Sequence, residues 1–199
     1  MAFWETFTRR SRVFLAVAVA VFIGDQVSKW MAVEALTDAF ANTADFAGRL
    51  WAFLRQKHPT ETGVVTVLDD FWHFRYVENP GAAWGLLSRS GEAFRTPFFL
   101  VVSLAAMIFI IAYFRRTTAS QRWLRLALAL VFGGAVGNFF DRARFGYVID
   151  FIDWHWYDVA TWPTFNVADS AISIGVALLL LDMFLQKEQR GNALKEDFV

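Results

Sequence analysis

Four stretches of roughly 20 mostly apolar residues constrain this chain more than any other feature, because a helix of about that length crosses a hydrocarbon core of about 30 Å. The first runs from about Arg12 through "VFLAVAVAVFIGDQVSKWMAVEAL". The others are "TPFFLVVSLAAMIFIIAYF", "RWLRLALALVFGGAVGNFF" and the apolar run that follows "FN" near the end. These predict membrane spans over about 12–35, 96–114, 122–140 and 167–185 in a single integral membrane domain covering 1–199. Charged residues make up 19% of the chain, below the roughly 25% of a soluble domain. Pro97 is expected at the first helical position of the second span, where its missing N–H is harmless.

The placement of positive charge orients the spans. Arg9, Arg10 and Arg12 precede the first, Arg115, Arg116, Arg122 and Arg125 bracket the second-to-third link, and Lys187, Arg190 and Lys195 follow the fourth. Both termini are therefore expected in the cytoplasm. Trp30, Trp51, Trp72, Trp84, Trp154, Trp156 and Trp162 fall on the opposite side, as an aromatic belt weighted outward. "RRSRVF" followed by an apolar run also resembles a secretory or twin-arginine signal, but its "AVA" lies inside the run rather than after it.

The outer side is expected to hold segments 37–95 and 141–165. In the first, Phe46, Leu50, Phe53 and Leu54 share one helical face against Asp45, Arg49 and Arg55, the pattern of a helix lying on the membrane surface. "TGVVTVL" and "FWHFRYV" read as strands of a small sheet. The fold class is thus an all-α membrane protein with four transmembrane helices, a small extracytoplasmic β-sheet and an interfacial amphipathic helix. Nineteen basic residues balance nineteen acidic ones, so nothing in net charge favours a nucleic-acid partner. The chain has no cysteine, and His58, His73 and His155 are too scattered to suggest a zinc motif.

Acids at the edge of a span are costly and point to function. Asp25 and Lys29 are one helical turn apart and can pair, as a structural ion pair or as part of a site. Gly133, Gly134 and Gly137 form a small-residue surface for close helix contact. Asn138, Asp141 and Arg142 at the end of that span can hold an extended peptide backbone or each other. Asp169 stands in the first turn of the fourth span, where a carboxylate suits the helix dipole, and Ser170 is the expected cap. Asp150 and Asp169 are delivered to the same boundary by a connection of 19 residues. Two carboxylates together at a low-dielectric edge tend to share one proton, which is the equipment of aspartyl proteolysis.

"DQVSK", "NPGAAWGLL", "GGAVGNFFDR", "GYVIDF" and "FNVADSAISIG" resemble, in order and topology, the motif blocks of the bacterial lipoprotein signal peptidases, signal peptidase II. The resemblance implies an inner-membrane aspartyl peptidase, its site near the outer leaflet, that removes the signal peptide from diacylglyceryl-modified prolipoproteins by cutting N-terminal to the lipidated cysteine. It implies Asp150 and Asp169 as catalytic residues. Asp25, Lys29, Asn79, Gly81, Gly134, Asn138, Asp141, Arg142 and Asn166 take supporting or substrate-binding positions. It implies no metal or cofactor, a monomer among membrane lipids, and inhibition by globomycin-type peptides. The second block departs from the family's Asn-x-Gly-Ala-Ala-Phe at Pro80 and Trp84, the stretch 38–62 is longer than usual, and Asp153 is a second carboxylate close to Asp150. A transporter would spread its carboxylates through the bundle, whereas here they gather at one boundary with only Asp182 near the other. A presenilin-type protease would carry Gly-x-Gly-Asp, and an inactive scaffold has no need of both aspartates.

Overall fold

The computed structural model describes residues 2–81, 91–118, 120–157 and 159–196, with side chains described between residues 11 and 185. Trp84 and its departure from the family pattern lie outside the described residues, as do the side chains of Arg9, Arg10, Lys187, Arg190 and Lys195. The elements in chain order are α1 (Ala2–Leu36), α2 (Phe46–Arg55), β1 (Val65–Leu68), β2 (Trp72–Asn79), α3 (Glu92–Arg116), α4 (Arg122–Phe145), β3 (Val148–Trp156), β4 (Ala160–Thr161) and α5 (Val167–Glu196).

Among the described residues, four helical segments are long and apolar enough to cross a membrane: Ser11–Leu36, Glu92–Arg116, Arg122–Phe145 and Val167–Leu185. Much of their apolar surface faces outward, including Val19, Val101, Phe109 and Leu181, as is expected where the solvent is lipid. α4 is the central helix, packed against α1, α3 and α5. Its glycines explain how closely it is approached. A Cβ at Gly134 would strike the Ala168 carbonyl oxygen of α5 and come within 2.8 Å of Ile172, while one at Gly133 would lie 2.8 Å from the Ala18 carbonyl oxygen of α1. Away from the sheet, Phe14, Ile110, Phe114 and Leu128 close the bundle, with the Phe14 and Phe114 ring centroids 4.4 Å apart.

α3 begins earlier than its hydropathy suggests. It starts at Glu92, which places Pro97 inside the helix rather than at its first position. Proline has no N–H, so the Ala93 carbonyl lacks the helical bond that position 97 would have donated.

At the other end lies a four-stranded antiparallel sheet in the order β1-β2-β3-β4. β1 and β2 are the two runs read as strands above. β3 and the two-residue β4 lie outside those runs, and β3 carries Asp150. α4 reaches it through Gly146, which sits at φ +83° and donates its N–H to the Arg142 carbonyl at 3.0 Å. This left-handed helix end is open to glycine at little cost and turns the chain directly from span into strand. Between Phe74 and Val77 the register slips, so that three steps along β2 match two along β3 and Val77 faces Asp150. Such a bulge re-aims side chains beside a site.

α2 is the surface helix. Asp45 caps it, accepting the Gly48 N–H at 2.7 Å. Of the four residues on its apolar face, Phe53 is buried against Trp30 and Phe40, Leu54 is partly buried, and Phe46 and Leu50 stay exposed. Apolar residues left open on one side of such a helix fit a membrane interface.

Candidate active site

The site is assembled where α1, α4, β3 and α5 meet beneath the sheet. On α1, Lys29 Nζ lies 2.9 Å from Asp25 Oδ2 and 2.7 Å from Asp141 Oδ2 on α4. All three side chains are 0% exposed. A lone buried cation between two carboxylates leaves one negative charge over, and Arg144 offsets it by bonding Asp141 Oδ1 at 3.0 Å. Gln26 donates to both acids, at 3.0 and 3.1 Å. Asp25 Oδ1 accepts the Ala168 N–H at 3.0 Å, placing a carboxylate at the positive end of α5. The Asp25–Lys29 pair is therefore part of a network binding α1, α4 and α5. No motif in the sequence marks Gln26 or Arg144 as part of this network, although each stands within a turn of one of its acids.

Two asparagines link that network to the dyad candidates. Asn138 Oδ1 accepts from Lys29 Nζ at 3.3 Å, and its Nδ2 donates to Asp169 Oδ1 at 2.7 Å. Asn166 Nδ2 donates to Asp150 Oδ1 at 2.7 Å and lies 3.2 Å from both Asn138 Oδ1 and the Ile149 carbonyl. Asn166 is also the cap of α5. Its Oδ1 accepts the Asp169 N–H at 2.9 Å, and Asp169 Oδ2 accepts the Asn166 N–H at 3.3 Å. This is a reciprocal capping box. Ser170, expected as the cap, instead donates its hydroxyl to the Asn166 carbonyl at 3.0 Å, because the helix begins at Val167 and position 170 is already in its body.

Asn79 holds the other oxygen of Asp150, Nδ2 to Oδ2 at 2.9 Å. The Gly81 N–H returns to Asn79 Oδ1 at 3.1 Å, and Arg142 clamps the Gly81 carbonyl at 2.7 Å. Asp141 and Arg142, neighbours in sequence, thus part company: Asp141 turns to α1, Arg142 to the site. Arg142 Nε finds no hydrogen-bond partner among the described residues, which leaves a buried donor at the edge of the cavity.

The cavity encloses about 670 Å³. Asn79, Asn138, Arg142 and Asp169 supply its polar wall, and Phe99, Trp154, Trp162, Ile172 and Ile174 its apolar one. Asp169 lines it directly. Asp150 sits beneath the lining, 1% exposed. Burial, with the Asp169 charge adding to it, pushes the Asp150 carboxyl up to about 8. One proton therefore stays in the pair at neutral pH. Asp153 is elsewhere, bonded by Arg75 Nε at 3.1 Å and by Thr164 at 3.4 Å. Gly134 supports the site through packing alone, as described above.

The histidines correct the reading from sequence. His73 and His155 are not scattered in space: their rings lie 4.3 Å apart on adjacent strands beside Asp153.

The family model described as signal peptidase (SPase) II matches residues 17–185, all four spans and the whole site. The chain belongs to the signal peptidase II family. The peptidase is 53% identical to a lipoprotein signal peptidase from Anaeromyxobacter sp. (strain Fw109-5) over 163 residues, 79% of this chain and 77% of that one. It is 38% identical to one from Syntrophotalea carbinolica over 85% of this chain and 89% of the relative, and 37% identical to one from Moorella thermoacetica over 90% and 97%. A solved structure described as a bacterial membrane enzyme superposes with TM-score 0.66 at 29% identity, covering 89% of this chain and 90% of the other. A second gives 0.61 at 31% identity, covering 86% and 92%. Four membrane helices with a sheet at one end are therefore the architecture of a membrane protease.

Proposed function

We propose that the peptidase removes the signal peptide from prolipoproteins bearing a diacylglyceryl-modified cysteine, cutting on the N-terminal side of that cysteine, with Asp150 and Asp169 as the catalytic pair. The relatives are named lipoprotein signal peptidases, which supports the signal-peptide part of this reading. The single observation that carries the chemistry is the asymmetry of the two carboxylates. Asp169 lines the cavity and accepts from Asn138, while Asp150 is buried and held on both oxygens, with burial pushing its carboxyl up to about 8.

In this reading Asp169 takes a proton from water as its oxygen bonds to the scissile carbonyl carbon, and Asp150 gives its proton to the carbonyl oxygen. The resulting gem-diol collapses as Asp169 passes its proton to the amide nitrogen, the C–N bond breaks, and Asp150 recovers a proton from the hydroxyl. Arg142 Nε, without a hydrogen-bond partner among the described residues, binds a substrate backbone carbonyl. The apolar wall takes the signal helix or its acyl chains, and globomycin-type peptides compete there. The arginines at 115, 116, 122 and 125 support placing both termini in the cytoplasm and the site near the outer leaflet of the inner membrane. The enzyme acts as a monomer.

The test is a gel-shift assay with lipidated prolipoprotein in detergent. Asp150→Asn and Asp169→Asn, each folded, are expected to lose at least about 100-fold in rate. Near wild-type cleavage by either variant would overturn the pair, and a wild type that ignores lipidated substrate would overturn the function.

A further inference from the structure

The peptidase chemistry leaves one cluster unused. On β2 and β3, His73 is the register partner of Asp153, and His155 lies two residues further along β3. Side chains two apart on a strand, and directly opposed across an antiparallel pair, emerge on one face. The ligand atoms of His73, Asp153 and His155 all lie within 4.8 Å of one another, and His155 Nδ1 is 3.9 Å from Asp153 Oδ2. Asp153 is buried and both rings are half-buried, so the three are not a loose surface group.

We propose that His73, Asp153 and His155 form a binding site for a divalent first-row transition metal, with zinc as its best-fitting occupant. Two neutral imidazoles and a carboxylate are a donor set suited to zinc, with water in the remaining position. Bonds of about 2.0–2.1 Å in a tetrahedron put ligand atoms about 3.3 Å apart, so side-chain rotation closes the cluster without moving the strands. Thr164, 3.4 Å from Asp153 Oδ1, steadies the carboxylate from outside. Arg75, whose Nε is 3.1 Å from Oδ2, is the competitor that the ion displaces, and it keeps the carboxylate balanced when no ion is bound. The site does not depend on the proteolytic reading. It does clip β2 to β3, the strand that holds Asp150 at its other end, and it brackets Trp154, which lines the cavity.

The experiment uses full-length protein carrying a tag without histidine, stripped with chelator and exchanged into detergent. Zinc binding is measured by competition with a chromophoric chelator, and cobalt is added to read the ligand field in the visible spectrum. One zinc per chain is expected, with affinity at least about 100-fold weaker in His73→Ala and His155→Ala. His58→Ala, at a ring outside the cluster, is expected to bind as the wild type does. The melting temperatures of metal-free variants, if equal to that of the metal-free wild type, separate lost ligands from lost fold. His73→Gln and His155→Gln serve where the alanine variants melt early. No stoichiometric uptake by the wild type, or uptake that persists unchanged in a folded His73→Ala/His155→Ala double variant, overturns the site.

Discussion

Asp150 shows how one residue can trade stability for chemistry. Its folded-state carboxyl is raised from 3.8 to about 8, so between those values the folded protein holds a proton that the unfolded chain releases. The contribution of Asp150 to stability is therefore fully present below about 4 and is lost as pH rises through about 8. Asp150→Asn removes the ionisation, and its melting temperature in detergent is expected to exceed that of the wild type by more at pH 9 than at pH 5, while cleavage is lost. Lys29 has the opposite character. Lys29→Met leaves Asp25 and Asp141 facing each other without their shared cation, and breaking a buried ion network in this way costs about 3–5 kcal/mol. Thermal unfolding in detergent checks this, with Asp25→Asn in the Lys29→Met background expected to restore part of the loss.

Among the elements, α4 and α5 depend on contact between backbones rather than between side chains. Gly134→Ala puts a methyl group against the Ala168 carbonyl and Ile172. Neither helix can yield without shifting the capping box at Asn166 and Asp169 one turn away. A cost of about 1–3 kcal/mol is expected, read as a lower melting temperature, together with a fall in cleavage rate in protein that remains folded. The β3 strand is the other decisive element. Its register against the bulged β2 brings Asp150 opposite Val77, with Asn79 close enough to hold it. Asn79→Ala removes one of two amide donors to Asp150 without touching the cap of α5, and a loss in cleavage rate of about tenfold is expected, about 1.4 kcal/mol of transition-state stabilisation, with little change in melting temperature.

At the scale of the whole molecule, the helices and the sheet bring Asp150 and Asp169 together at one end of the bundle. The cavity there is apolar on one side and polar on the other, which suits the substrate proposed above. In the proposed reaction Asp150 and Asp169 need one proton between them. A pH profile of prolipoprotein cleavage is expected to decline as pH rises past about 8, the range in which Asp150 gives up its proton. A profile flat through that range would mean that the proton on Asp150 has no part in the reaction.

The spans, the surface helix α2 and strands β1 and β2 were legible in the sequence because each is a local pattern: apolar length, a 3.6-residue stripe, a β-branched run. The polar residues that the structure gathers at the candidate site were legible too, since polar groups at a membrane edge stand out against an apolar background. Their partners were not. That Arg144 completes the Lys29 network, that Asn166 rather than Ser170 caps α5, and that Pro97 falls inside α3 depend on where helices begin and which faces meet. His73 and His155 are 82 positions apart in the chain, and only the pairing of β2 with β3 brings them to Asp153. Apolar length and charge placement by themselves determined that this protein lives in a membrane with its acids at one boundary. Tertiary structure alone decided which acid is buried and keeps a proton, because desolvation depends on packing around a group and not on its neighbours in sequence.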